Sequence, residues 1–195
     1  MQPTRSSGPE WAHLYEVAAS QGGYFSARQA QEVGYSLPLL AHHMKRGRIQ
    51  RARRGIFRLT YYPAGEHEDL IVLWLWSEQA GVFSHETALL LQDLSDALPA
   101  VNHLTLPAAW ARRRLRVPEG VRLYYADVSE SERRWVGNVP ITSPLRTLMD
   151  CVKAHVSPEF IHAAHQQILQ RGLVSPTELQ NASCWLPSSD LRSST

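Results

Sequence analysis

Residues 47–58 read GRIQRARRGIFR, a stretch that is rich in arginine and contains no acidic residue. Between the arginines stand Ile49, Ile56 and Phe57, whose side chains favour burial. The stretch predicts two short strands, IQRA and IFRL, with a turn at Arg53-Arg54-Gly55, because glycine supplies the positive φ that tight hairpin turns need. Alternation along the strands turns Ile49 and Phe57 inwards and leaves arginines in solvent. We therefore expect a basic β-hairpin.

Helix signals precede the hairpin. A first helix is predicted from about residue 9 to residue 20, where apolar residues recur at helical spacing. Ser26 and Gln29 have the spacing of a capping box, and Gly34 is a natural stop for a short second helix. Ser36 then caps a third helix, which ends at Gly47. Two short helices joined by a turn indicate a helix-turn-helix, and the hairpin that follows would be its wing.

The third helix has an inner and an outer face at about 100° per residue. The inner face is predicted to hold Leu37, Leu40, Ala41 and Met44. Leu39, His42 and Arg46 fall opposite, with His43 and Lys45 beside them. In winged helices this helix enters the major groove and the wing contacts the backbone or the minor groove. The candidate DNA contacts are Arg28, Ser36, Leu39, His42, His43, Lys45, Arg46, Arg48, Arg51, Arg53, Arg54 and Arg58.

The remaining sequence predicts a mixed α+β domain. Residues 60–66 have the composition of a linker, and helix signals follow in EDLIVLWLWSEQA and SHETALLLQDL. Strands are predicted at 101–107, at VRLYYADV and around 135–141, and Ser-Pro signals open helices after 143, 157 and 175. The predicted fold class is α+β. Its divisions are a flexible N-terminus (1–9), a winged helix-turn-helix (10–65), an α+β domain (66–182) and a polar tail (183–195).

Charge is divided unevenly between these parts. Residues 1–65 carry nine Lys and Arg against three Glu, a net charge of +6, and residues 66–195 carry eleven against fifteen, a net charge of −4. This split predicts a basic module that binds a polyanion. The two cysteines, Cys151 and Cys184, show neither a disulfide framework nor a metal spacing. With no apolar leader and no spanning apolar run, a reduced cytoplasmic protein without a membrane partner is expected.

Several motifs allow more than one interpretation. SHETAL could offer a nucleophile and a base, but a helix start capped by Ser84 is favoured, since neighbouring helical side chains diverge. His162 and His165 share a helix face without a further metal ligand. The run ARRRLR at 111–116 is either a solvated loop or an extension of the DNA footprint, and the loop is favoured. No phosphate-binding loop, HExxH or nucleophile elbow occurs, so neither an enzyme nor a cofactor or metal site is predicted.

One ordered series of segments resembles a known family. YFSARQAQEVGYS, RIQRARRGIFRL, EDLIVLWLWS, SHETALLL, LSDALP, LTLP and VPITSPLRTLMD follow one another over roughly residues 10–155. The series is similar to the AbiEi family of antitoxins of type IV toxin–antitoxin systems. The resemblance implies a winged helix that binds inverted repeats upstream of its own operon, as a dimer or as paired monomers, and represses transcription. It also implies a C-terminal antitoxin domain that counters a nucleotidyltransferase-like toxin without needing a stable complex.

Two other functions remain open at the level of sequence. The first is a solitary winged-helix regulator whose C-terminal domain binds a ligand or a partner. The second is an enzyme, such as a degraded nuclease, on the C-terminal domain. A neighbouring toxin gene would favour the antitoxin.

Overall fold

The computed structural model describes residues 9–175 and 177–179. By spatial contacts the chain forms two compact units. The first unit runs to Gln79 and includes Gly137–Val139, and the second comprises Ala80–Val136 and the chain from Pro140 onwards. The predicted flexible N-terminus (apart from Pro9), the polar tail at 183–195 and Cys184 lie outside the described residues.

The first unit is a winged helix-turn-helix. Its helices are α1 (Trp11–Ala19), α2 (Ala27–Glu32) and α3 (Leu37–Lys45), followed after the sheet by α4 (Glu68–Trp76). Its strands are β1 (Tyr24–Ser26), β2 (Ile49–Arg53) and β3 (Ile56–Leu59), which form an antiparallel sheet in the order β1-β3-β2. The predicted helices and both wing strands are therefore present, and the N-terminal part of the predicted fold class is confirmed.

The predicted local signals act as expected in this unit. The Ser26 hydroxyl accepts from the Gln29 amide, and the Gln29 side chain accepts from the Ser26 amide, which completes the capping box. Gly34 ends α2 with φ +88°, and Gly55 adopts φ +76° in the two-residue turn of the wing. Non-glycine residues rarely adopt such angles, so both turns depend on glycine. Ile49 and Phe57 are almost fully buried, as the alternation predicted.

Helix α4 clusters with the winged helix. Its first residue, Glu68, accepts hydrogen bonds from Tyr24 of β1 and Arg58 of β3, each at 3.0 Å. The side chain of Ile71 lies beside Gly22, where an added Cβ would come within 2.9 Å of its Cδ1 atom. The structure thus divides the chain between Gln79 and Ala80, whereas the composition of residues 60–66 placed the division at 65/66.

The second unit is a mixed sheet with helices. Its strands are β4 (Val82–Phe83), β5 (Asn102–Leu106), β6 (Val121–Tyr125), β7 (Arg133–Val136) and β8 (Val139–Thr142, of which Val139 itself is grouped with the first unit), in the order β6-β5-β4-β8-β7. Strand β4 runs antiparallel to β5 and parallel to β8, while β5 and β6 are parallel. This arrangement confirms the predicted α+β class, although the two-residue β4 was not predicted.

Three helices complete the second unit. They are α5 (His85–Leu91), α6 (Pro144–Lys153) and α7 (Pro158–Gln170), and they share an apolar cluster that includes Leu89, Leu148 and Ile168. Cys151 is fully buried in the same cluster, and burial raises the pKa of its thiol. Among the described residues, no helix is of a length and apolarity that would carry it across a membrane.

Candidate nucleic-acid interface

The orientation of α3 decides which side chains are available to DNA. Leu40 and His43 are buried on its inner side, and Leu39 and Met44 are partly buried against the core of the first unit. Leu37 is 55% exposed. The inner face is therefore rotated by close to one residue position from the prediction, in which Leu37 faced inwards and Leu39 faced DNA. The structure corrects both assignments.

The rotation follows from the packing of His43. Its imidazole stacks on Trp11 with ring centroids 5.0 Å apart, and it meets Tyr35 at 5.6 Å. Burial lowers the pKa of His43, and the positive charges of Arg48 and Arg46 lower it further. A neutral aromatic ring in an aromatic slot behaves as a core residue. The structure thus corrects the expectation that His43 lies on the outer face, whereas its neighbour His42 is exposed.

The wing exposes cationic side chains and buries its apolar ones. Strand β2 lies at the edge of the sheet, and its pairing with β3 shifts between Arg51 and Arg53, which is a β-bulge. Arg51 and Arg54 are exposed and Arg53 is half-buried. The guanidinium of Arg51 lies 6.0 Å from the ring centre of Phe57, within the range of a cation–π contact. The hairpin thus anchors its hydrophobic residues in the core and leaves arginines at its edge and tip.

Arg58 is held inside the first unit. Its guanidinium donates to the Glu68 carboxylate at 3.0 Å and to the Tyr62 carbonyl at 3.1 Å, and it lies over the Tyr24 ring. Burial acts to raise the pKa of Glu68, but hydrogen bonds from Gly65 and Tyr24 and the pairing with Arg58 leave that pKa lowered. Arg58 thus has a pairing role that the sequence did not indicate, because β3 is the central strand and Glu68 at the start of α4 contacts its side chain; contact of Arg58 with DNA stays a prediction.

Arg28 is exposed but paired. At the start of α2 it contacts Glu32 at 3.1 Å and Glu78 at 3.4 Å. Exposed ion pairs are weak, so these contacts are readily exchanged for others. Arg28 nevertheless has two acidic neighbours, which distinguishes it from the cations of α3 and the wing.

The remaining cations form a group without acidic partners in the described chain. No Asp or Glu occurs between Glu32 and Glu66. Arg48 lies 5.8 Å from the Trp11 ring, which positions its exposed charge beside the end of α3. We call this group the free cations; within residues 9–175 and 177–179 none of its members forms an ion pair, and they are Lys45, Arg46, Arg48, Arg51, Arg53 and Arg54.

Uncharged residues lie at the other end of α3. Ser36 is the N-cap, and its hydroxyl accepts a long hydrogen bond from the Leu39 amide at 3.4 Å. Leu37 and Pro38 follow and are exposed. The helix is therefore apolar where it begins and cationic where it ends, and this polarity suits a helix that enters a groove with its first turn while its last turn meets a phosphate.

The SHETAL segment of the second unit differs from its prediction. Ser84 is fully buried and makes no side-chain cap; its Oγ atom lies 2.7 Å from Thr105 Oγ1 and 2.8 Å from His85 Nδ1. Adjacent side chains meet because His85 adopts φ +52°, outside the helical range. The expectation that Ser84 caps α5 and diverges from His85 is therefore wrong. Both side chains are buried, which favours a structural role for the pair.

A histidine cluster continues from this pair. His85 stacks on Tyr124 with ring centroids 3.6 Å apart, and His103 lies 5.9 Å from His85. Burial and the nearby positive groups lower the pKa of His85 to about 3. Burial also lowers the pKa of His103, although the Glu86 carboxylate 3.4 Å from its Nε2 atom opposes the shift. Both imidazoles are neutral near pH 7.

The second basic run is exposed; it begins at the end of a 3-10 helix, Ala108–Arg112, and continues as a loop. Arg112, Arg113, Arg114 and Arg116 are all exposed, and the guanidinium of Arg113 lies 3.8 Å from the ring centre of Trp110. Such exposure is expected both of a solvated loop and of an extension of the DNA footprint. His165 is half-buried and His162 exposed on α7. In the part of the chain that the structure describes, no three His, Cys, Asp or Glu side chains group as a metal site would require.

One protein family matches part of the first unit. The family described as "Transcriptional regulator, AbiEi antitoxin" matches residues 14–60, from within α1 to the end of the wing. This match confirms the predicted resemblance to the AbiEi family over the winged helix-turn-helix. No curated protein matches the sequence. The crystal structure of the RV2827C protein from Mycobacterium tuberculosis is similar with a TM-score of 0.43 and 13% identity, covering 94% of this chain and 85% of that one.

Proposed function

We propose that the chain is a repressor and antitoxin of a type IV toxin–antitoxin system. In this proposal the first unit binds inverted repeats upstream of its own operon in the cytoplasm. The second unit counters a nucleotidyltransferase-like toxin encoded beside it. The observation that carries the DNA-binding half is the family match over residues 14–60, which coincides with the segment that holds the free cations.

The electrostatics of the first unit support a duplex as the ligand. Of the predicted contacts, Arg28 and Arg58 have acidic partners, whereas the free cations have none in the described chain. Leaving cations unpaired on a folded surface keeps them available for phosphates, where each contact releases a counterion. The wing arginines and the end of α3 therefore supply affinity, and the first turn of α3 supplies sequence preference.

Binding to the upstream DNA tests this half. The full-length protein is titrated against a labelled duplex that contains the region before its own gene, at several salt concentrations. If five or six cations contact phosphates, the logarithm of the affinity falls with the logarithm of the salt concentration at a slope of about −4.5 to −5.5. A duplex of shuffled sequence is the control and should bind more weakly. Equal affinity for both duplexes would contradict the proposed repressor function.

The antitoxin half needs a test in cells. A nucleotidyltransferase-like protein encoded next to this gene is expressed until growth stops, and this chain is then co-expressed. Growth should recover with the wild type and also with Arg53→Ala/Arg54→Ala, because the wing is not assigned to toxin neutralisation. The same double variant should fail to repress the operon. Failure of the wild type to restore growth would leave a regulator without antitoxin activity.

A solitary regulator is the second candidate, and one observation favours it. The second unit contains a cavity of about 260 Å³, whose lining includes Arg134, Ser143 and Arg146. Arg146 is already paired with Glu132 and Asp150, each at 2.9 Å, which reduces its capacity to hold an anion. If a ligand controls repression from this cavity, filling it with Met149→Trp should abolish the response of the promoter while leaving DNA binding intact.

A further inference from the structure

The exposed leucine at the start of α3 has no role in the core. Leu37 is 55% exposed, while Leu40 of the same helix is 1% exposed and Leu39 packs against the apolar cluster of the first unit. A single exposed leucine is common on protein surfaces. Leu37, however, lies at the first position of the helix that the fold presents to DNA, and that position is where recognition helices contact base edges.

The surroundings of Leu37 define the chemistry that it would meet. Ser36 and Pro38 are uncharged and exposed, so the first turn of α3 carries no cationic side chain. The free cations begin at Lys45, near the other end of the helix. An uncharged leading turn and a cationic trailing turn suit a helix whose beginning faces base pairs and whose end faces the backbone.

The major groove offers one apolar group among the ordinary bases. This group is the C5-methyl of thymine, and apolar side chains read it by direct contact. We propose that Leu37 contacts a thymine methyl and thereby sets the preference for thymine at one position of the operator. The inference rests on the proposed DNA-binding function and extends it, since it names the base and the residue that reads it.

Deoxyuridine is the matched probe, because it pairs as thymidine does and lacks only the methyl group. The preferred duplex of the full-length protein is first selected from random sequences, and each thymine is then replaced singly by deoxyuridine. At one thymine per half-site, removal of the methyl should weaken wild-type binding about fourfold, the effect of leaving one buried methyl group unburied. Leu37→Ala should bind the thymine and deoxyuridine forms equally.

Two controls separate this contact from general effects. Leu98→Ala removes another exposed leucine, 84% exposed in the second unit, and should preserve the fourfold difference. Tyr61→Ala removes an exposed side chain of the first unit, 89% exposed, that is not assigned to DNA binding, and should also preserve it. Leu37→Ala is expected to fold, because the side chain is largely in solvent, and an unchanged melting temperature verifies this.

The outcomes distinguish the inference from the function on which it rests. If the wild type binds no duplex, the repressor function fails, and this inference fails with it. If the wild type selects a site but binds every deoxyuridine form as well as the parent, DNA binding stands and the methyl contact is wrong. If Leu37→Ala still discriminates thymine from deoxyuridine, another residue reads the methyl group and the assignment to Leu37 is overturned.

Discussion

The Nη2 atom of Arg58 donates a hydrogen bond to the Oε1 atom of Glu68 over 3.0 Å, and this pair joins the central strand of the wing sheet to α4. The first unit is consequently larger than a minimal winged helix, since a helix beyond the wing completes it. Among the arginines of residues 47–58, Arg58 therefore stabilises the fold, whereas the others remain available to bind a ligand.

Removing the Arg58 side chain should cost stability without changing the electrostatics of DNA binding. Arg58→Met leaves the Glu68 carboxylate half-buried without its cation, and we expect the free energy of unfolding of the first unit to fall by about 1–3 kcal/mol. Hydrogen exchange at the amides of Phe57 and Leu59 measures this locally. The salt slope should stay at the wild-type value; a flatter slope in a stable variant would place Arg58 on a phosphate.

Removing the arginines at the tip of the wing should have the opposite effect. Arg53→Ala/Arg54→Ala should weaken binding to specific and shuffled duplexes alike and flatten the salt slope by about 0.9 for each phosphate that is no longer neutralised. Arg112→Ala/Arg114→Ala removes the same charge from the second basic run and is the matched control. If both variants reduce affinity equally, net charge rather than the wing explains binding.

The adjacent histidines of α3 should respond differently to substitution. His43→Ala empties the slot between Trp11 and Tyr35, and we expect a decrease of about 2–4 kcal/mol in unfolding free energy, as for large-to-small changes in a core. His42→Ala should leave stability unchanged and alter sequence preference by about 1–3 kcal/mol if His42 reads a base. Thermal unfolding and site selection measure the two effects. Equal destabilisation by both substitutions would contradict the orientation of α3.

Ser84 should prove to be a structural residue. Ser84→Ala removes its hydrogen bonds to Thr105 and His85 in a fully buried position, and a destabilisation of about 1–3 kcal/mol is expected. The melting temperature of the second unit measures it. Ser157→Ala, at an exposed hydroxyl that contacts Glu159, is a control with little expected effect. Modification of Ser84 in the folded protein by a serine-reactive phosphonate would show instead that the hydroxyl is accessible.

The stability of the second unit should decline with acid. Because the pKa of His85 is about 3 in the folded chain and ordinarily 6.5, only the unfolded chain takes up this proton just below pH 6.5. Unfolding is therefore favoured progressively as the pH falls from 6.5 towards 3. His85→Asn removes the titrating group and tolerates the positive φ, so its melting temperature should change less between pH 7 and pH 5. His13→Asn, at an exposed site, is the control.

Sequence signals predicted the first unit well where the information was local. The Ser26 capping box, the stop at Gly34 and the turn at Gly55 depend on residues only a few positions apart, and all three form. Errors arose where distant residues decide. The slot for His43 is built partly by Trp11, and the partner of Arg58 is Glu68 on a helix that the sequence assigned to another domain. Such contacts between distant residues produce no periodic pattern in the sequence from which they could be predicted.

The second unit shows the same limit. The helices after Ser143 and Ser157 were predicted from their Ser-Pro starts and are present. Strand β4 has two residues, too few to show alternation. The contact between Ser84 and His85 depends on the left-handed backbone conformation of His85 at the start of α5. The sequence around His85 did not indicate this conformation. The family match extends only to residue 60, so the assignment of a toxin-countering role to this unit remains a proposal.

The arginines of β2 have a further consequence for the isolated chain. An edge strand with open backbone groups is a template for strand addition by another copy of the same chain. Here the bulge between Arg51 and Arg53 bends that edge, and the repulsion between like guanidinium groups keeps two such edges apart. The same arginines and the bulge thus also disfavour edge-to-edge pairing between two copies of the chain.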